Sequence, residues 1–205
     1  GKAPGVQRAD GKWRGDPNFL KRKTTLDHCA RWEESGANVG LLAKRFPGLD
    51  IDVLDKELSD FIADEARQFL GAAPVRVGKA PKQLLMYRLE GDPFGKNLLT
   101  FTAPDGVEHK IEVLADGQQY VIHGTHPEGH SYAFDECSAE TLTTVSGTKM
   151  LDFMDHIIPA LQARGCTIGS RTSSSGNGAK VDQDSLKGDI ALVREAVAVI
   201  PNDCD

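Results

Sequence analysis

The sequence predicts an α+β fold, and three observations carry that prediction. Between Leu54 and Leu70 the apolar residues Leu54, Leu58, Phe61, Ile62, Ala66, Phe69 and Leu70 recur at helical spacing, with charged residues between them. From Pro74 to Phe134 the pattern changes to short β-type runs, PVRVG, KQLLMYRLE, LLTFTAP, HKIEVLA and QYVIHGT, punctuated by Gly, Pro, Asp and Asn. Such punctuation marks an antiparallel sheet region, with PDG at 104–106 as a hairpin turn. A second helical pattern, MLDFMDHIIPALQARG, follows, in which Pro159 is expected to kink or interrupt the helix.

The remaining elements fit around these three. After a polar, Gly-rich start, TTLDHCARWEESG reads as a capped helix, with Thr24 or Thr25 as the cap and Gly36 as the stop. Leu26, Cys29, Ala30 and Trp32 are its expected inner side. ANVGLLAKRF and PGLDIDVLD read as two strands. In the second, apolar Leu49, Ile51 and Val53 alternate with Asp50 and Asp52. Past Gly165, CTIGSRTSSSGNGAK is rich in Ser and Gly and has little to bury, so it is expected to be a loop or linker. DSLKGDIALVREAVAVI then reads as a last helix. The expected organisation is a catalytic core over 1–165, a linker over 166–185, and a helix over 186–205 leading into a further domain.

Composition narrows the function. The chain has 205 residues, 40% of them hydrophobic, enough for a buried core. No apolar run is long enough for a membrane span and no secretory signal is seen, so a cytoplasmic protein is expected. Cys29, Cys137, Cys166 and Cys204 are scattered without a CxxC pair, which suggests neither a zinc ribbon nor a disulfide framework. The net charge of −6 excludes a protein that coats nucleic acid by bulk electrostatics. Contacts to nucleic acid must be local.

Asp50 and Asp52 stand two apart on a predicted strand, so both carboxylates project from one face. Like charges placed so close repel, and a divalent cation would neutralise them. A solvated strand face presents the same pattern. Glu112, between Ile111 and Val113, is a third acid in the same setting. Three carboxylates on adjacent strands would suit two hard metal ions in an in-line phosphoryl transfer. RVGKAPK places Arg76, Lys79 and Lys82 at three-residue intervals, a charge pattern that suits a triphosphate or, equally, a solvated basic turn. There is no GxxxxGK[ST] run, so a P-loop is not supported. His123, His126 and His130 follow on a strand and loop, where their spacing says little about metal geometry; an imidazole there can donate to a phosphate oxygen.

The order of these segments resembles the bifunctional DNA primase/polymerase domain of the archaeo-eukaryotic primase superfamily, phage and plasmid type, over most of the chain. GANVGLL followed by GLDIDVLD is similar to that family's first motif, and LGAAPVR to the exit of the helix after it. KIEVLADGQQYVIHGTHPEGHSY is similar to its third motif and the Gly, Gln, His-Pro and Tyr run that follows. EAVAVIPNDCD resembles the segment where such proteins pass into their next domain. The resemblance implies a mixed or antiparallel sheet with an RNA-recognition-motif-like element flanked by helices. It implies Asp50, Asp52 and Glu112 as catalytic ligands of two Mg²⁺ or Mn²⁺ ions, with single-stranded DNA template, primer and dNTP or NTP as partners and a helicase domain downstream. The family's second motif carries a histidine that RVGKAPKQLLMYR lacks; Arg76, Lys79, Lys82 and His126 are the expected nucleotide-binding residues in its place. A catalytically weak replication-initiator or single-strand-binding module is the alternative, and a metal-dependent nuclease shares the carboxylates without needing the basic loop.

Overall fold

The structure, a computed structural model, describes residues 5–7, 10, 12–16, 18–21, 23–135 and 137–174. The helix expected over 186–205 lies outside them, as does the second half of the expected linker.

Short strands β1 (Gly5–Gln7) and β2 (Trp13–Gly15) pair with each other, and α1 (Leu26–Glu34) follows. Thr25 caps α1 through a capping box with His28. The expected inner side is not there: α1 has no buried residue and Leu26 is 87% exposed. Of its expected inner positions only Trp32 is half-buried, so periodicity alone overstated its burial.

β3 (Val39–Leu42) and β4 (Gly48–Asp52) come next, then α2 (Lys56–Leu70), started by the Asp55 side chain accepting from the Leu58 amide at 2.7 Å. The β region holds β5 (Val75–Val77), β6 (Gln83–Met86), β7 (Arg88–Glu90), β8 (Asn97–Thr102), β9 (Glu108–Leu114), β10 (Gln119–His123) and β11 (Ala133–Phe134). β12 (Thr144–Ser146), α3 (Gly147–Ala163) and β13 (Thr167–Ser173) complete it. Seven strands form one antiparallel sheet in the order β11-β5-β6-β4-β9-β8-β13, while β3 pairs with β10 and β7 runs parallel to β12. The architecture is α+β.

The 104–106 turn joins β8 to β9 as expected. Gly106 takes φ 86°, and the amide of Ala103 donates to the Val107 carbonyl at 2.9 Å. Two expectations need revision. Pro159 does not interrupt helix α3, which runs on to Ala163, although its missing amide leaves the Asp155 carbonyl without its helical donor. Both residues are exposed, so water can satisfy that carbonyl. The first half of the expected linker is β13, an edge strand paired with β8 from Thr167↔Thr102 to Ser173↔Asn97. Its side chains are exposed apart from the half-buried Ile168, so it carries no hydrophobic pattern; backbone pairing with β8, helped by polar contacts of Ser170 to Thr100 and of Arg171 to Asn97, makes it a strand.

The main core lies on one face of the sheet. Leu49, Ile51, Leu85, Leu99, Phe101, Ile111 and Val113 meet Leu58, Ile62, Ala66 and Leu70 of α2 and Met150, Phe153, Ile157 and Leu161 of α3. Each of the larger of these side chains, fully buried, contributes roughly 1.5–3 kcal/mol. A smaller cluster of Ala43, Leu84, Met86, Leu114, Tyr120 and Leu142 lies apart from it. No helix among the described residues is long and apolar enough to cross a membrane.

Candidate active site

Period two in β4 sends Leu49 and Ile51 into the helix-covered core and leaves Asp50 and Asp52 on the opposite face. β9 does the same with Ile111 and Val113 against Lys110 and Glu112. Because β4 and β9 are adjacent, register then decides who meets whom: Asp50 stands directly opposite Glu112, and Asp52 opposite Lys110. Directly opposed residues have Cβ atoms about 4.5–5.5 Å apart. The row through Asp50 and Glu112 crosses the whole sheet as Phe134, Arg76, Leu84, Asp50, Glu112, Leu98 and Thr172.

Cations surround the acids. Arg76 Nη2 lies 3.9 Å from Asp50 Oδ1, and Lys82 Nζ lies 2.5 Å from Asp52 Oδ1. Lys96 Nζ reaches Glu112 Oε1 at 2.5 Å, and Lys110 bridges Glu112 Oε2 at 3.0 Å and Asp52 Oδ2 at 3.6 Å. The loop bearing Lys82 is fastened to α2, since Ser59 Oγ donates to the Pro81 carbonyl at 2.8 Å and Gln83 Nε2 donates to Ser59. Asp52, Lys82 and Lys110 line a cleft of about 210 Å³ together with Leu54, Glu108 and His109.

The two facing acids are tuned in opposite directions. Burial pushes the Asp50 carboxyl up; Arg76 opposes this, and the neighbouring Asp52 and Glu112 add to it. Burial acts upward on Glu112 too, but hydrogen bonds from Lys96 and Lys110 outweigh it and hold the carboxyl below its ordinary value. One acid of the facing pair is thus the easier to protonate.

The expected nucleotide residues divide into two groups. Arg76 and Lys82 join the acids. Lys79 and His126 gather instead at the turn after β10, where Lys79 Nζ lies 2.6 Å from Glu128 Oε1 and the His126 ring stacks on His130 at 4.6 Å. Tyr132 connects the groups, because its ring meets His126 edge-on at 5.5 Å and lies under the Arg76 guanidinium at 5.4 Å. Gly78 makes that contact feasible: a Cβ there would stand 2.6 Å from Tyr132 Cε1 and 3.1 Å from Arg76 Nη1. Among the described residues Tyr132 Oη and Arg76 Nε are buried polar atoms without a hydrogen-bond partner.

Lys96 and Lys110 were not singled out from the sequence. Lys110 was legible, since it lies two residues before Glu112 on the same strand and must share its face. Lys96 lies outside the strand, so only the pairing of β8 with β9 brings it to Glu112.

The three carboxylates offer oxygen donors only, which fits a hard divalent cation. Their oxygens are already engaged by three lysines, so a cation arriving there must displace ammonium groups. Compared with protein-family models, with curated proteins and with solved structures, the chain finds no match in any of the three.

Proposed function

We propose that this chain is a template-directed DNA primase/polymerase domain with the archaeo-eukaryotic primase core, which transfers a nucleotidyl group from a dNTP or NTP to a 3′-hydroxyl and releases pyrophosphate. The observation that supports it best is the register of β4 and β9, which sets Asp50 against Glu112 with Asp52 on the same face, ringed by Arg76, Lys82 and Lys110. The order of motifs in the sequence supports the same reading, and phage or plasmid replication is the setting it suggests.

In this reading Asp50, Asp52 and Glu112 hold Mg²⁺ or Mn²⁺, which when bound supplies Lewis-acid stabilisation of the charge on the transferring phosphate. Lys82 and Lys110 exchange carboxylate for phosphate oxygens when the nucleotide enters, so the triphosphate arrives in a site already lined with donors. Arg76 stays between Asp50 and the Tyr132 ring and holds the acid in position. Tyr132 Oη and Arg76 Nε offer buried hydrogen bonds that a nucleotide can complete.

A single-strand-binding or replication-initiator module with weak catalysis is the second reading. One observation favours it: four cationic side chains already balance the three acids. Metal-dependent binding of a nucleoside triphosphate separates the two readings, because the binding module has no use for it.

The decisive experiment is extension of a labelled primer on a single-stranded template with Mg²⁺ or Mn²⁺. The Asp50→Ala, Asp52→Ala double variant should extend at least about a thousandfold more slowly while keeping its fold, because each lost charge-stabilising group costs roughly 10²–10³ in rate. Equal extension by parent and variant would remove the acids from the chemistry. No extension by the parent would favour the binding module.

A further inference from the structure

The turn between β10 and β11 has a construction that the carboxylate row does not explain. Residues His126 to His130 close on themselves: the amide of His126 donates to the His130 carbonyl at 2.7 Å and the amide of Gly129 to the His126 carbonyl at 2.8 Å. Pro127 restricts the backbone on one side and Gly129, at φ 92°, supplies the left-handed turn on the other. The loop is therefore rigid in the part that carries side chains of interest.

Within it, one nitrogen of His126, one oxygen of Glu128 and one nitrogen of His130 all lie within 4.8 Å of one another, and they form the group of three such ligands found among the described residues. Bonds of about 2.1 Å at tetrahedral angles require ligand atoms roughly 3.4 Å apart, a distance that small side-chain rotations here can reach. The His130 ring is also oriented as a ligand would be. Its Nε2 meets the Gly78 carbonyl, so Nε2 carries the proton and Nδ1 is left with its lone pair. The amide of Glu128 donates to Nδ1 of His126 at 3.2 Å, at the long end of the normal range, and an ion taken by that atom must displace it.

We propose that His126, Glu128 and His130 bind one transition-metal ion of the Zn²⁺ class, at a site separate from the carboxylate row. Two imidazoles and one carboxylate with a fourth position open is a borderline donor set, unlike the all-oxygen row, so the two places select different metals. The competitor at the site is Lys79, which pairs with Glu128 and must release it when the ion arrives. Metal binding would also fix the rings that pack on Tyr132, and through it the seat of Arg76. The proposal does not depend on the polymerase reading.

The test is Zn²⁺ titration by calorimetry and Co²⁺ absorption on the full chain. An Asp50→Asn, Asp52→Asn variant serves as background to silence the carboxylate row. We expect one equivalent of Zn²⁺ and the intense visible bands of four-coordinate Co²⁺, both retained in that background. His130→Ala should weaken binding by more than roughly a hundredfold, since even outer partners of a metal ligand are worth ten- to a hundredfold. Should the alanine variant misfold by circular dichroism, Glu128→Gln at the exposed tip provides the same test. Lys79→Ala should tighten binding roughly two- to fivefold by removing the competitor. Affinity unchanged in His130→Ala and Glu128→Gln, or a signal that vanishes with Asp50→Asn, Asp52→Asn alone, would overturn the proposal.

Discussion

The two faces of the central strands share a backbone and differ in everything else. On one face Leu49, Ile51, Ile111 and Val113 are fully buried beneath α2 and α3. On the other, one residue along, Asp50, Asp52, Lys110 and Glu112 form an ionic group of which Asp52 and Lys110 line a cleft. The comparison teaches a division of labour: the helix-covered face supplies the stability that lets the other face carry charges placed against their own preference. Asp50 is the clearest case, since its buried carboxyl stands among like charges.

Three substitutions test that contrast. The largest effect is expected from Phe153→Ala, which empties a fully buried ring position beneath the sheet and should cost about 3–5 kcal/mol in denaturant unfolding. A cost near that of an exposed site would mean the helices are not the stabilising layer. Glu112→Gln should be smaller. It breaks contacts to two lysines that are 32% and 42% exposed, so screening limits the loss to about 1–2 kcal/mol at neutral pH.

The pH dependence of that loss has a definite sign. Glu112 is held below its ordinary value of 4.5, so its contribution is complete above that pH and disappears as pH falls through the lowered value. Thermal melts of parent and Gln variant should therefore converge in acid. Asp50→Asn should act the other way and be the smallest, with a gain of about 1 kcal/mol at neutral pH. Its carboxyl is held above the ordinary 3.8, so folding of the parent is penalised increasingly as pH rises past 3.8, and fully once the raised value is passed. Unfolding curves at several pH values check this; a destabilised Asn variant at neutral pH would mean the Arg76 contact outweighs burial.

Much of this contrast was readable from the chain. Alternation around Asp50 and Asp52 fixes their shared face, and Glu112 sits in the same apolar frame, because a two-residue period is a property of any strand. What alternation does not contain is register: nothing local says that Glu112 rather than Lys110 stands opposite Asp50. Lys96 escaped notice for that reason. β13 escaped for another, since a strand at a sheet edge with exposed side chains has hydrogen bonds but no hydrophobic signature. α1 shows the reverse error, a helical pattern with no buried residue. Arg76, Lys79 and Lys82 share a spacing in sequence but not a destination, because Gly78 and Pro81 turn the chain between them.

The row that crosses all seven strands has a consequence for how the molecule comes into being. Its members run from Asp50 to Thr172, and neighbours in the sheet such as Asp50 and Glu112 are far apart along the chain. Contacts of such long range form slowly, since the loops between them must close before any pairing repays the lost chain entropy. During synthesis the row stays unfinished until Thr172 has left the ribosome, although the pairing of Asp50 with Glu112 at its centre needs only β4 and β9.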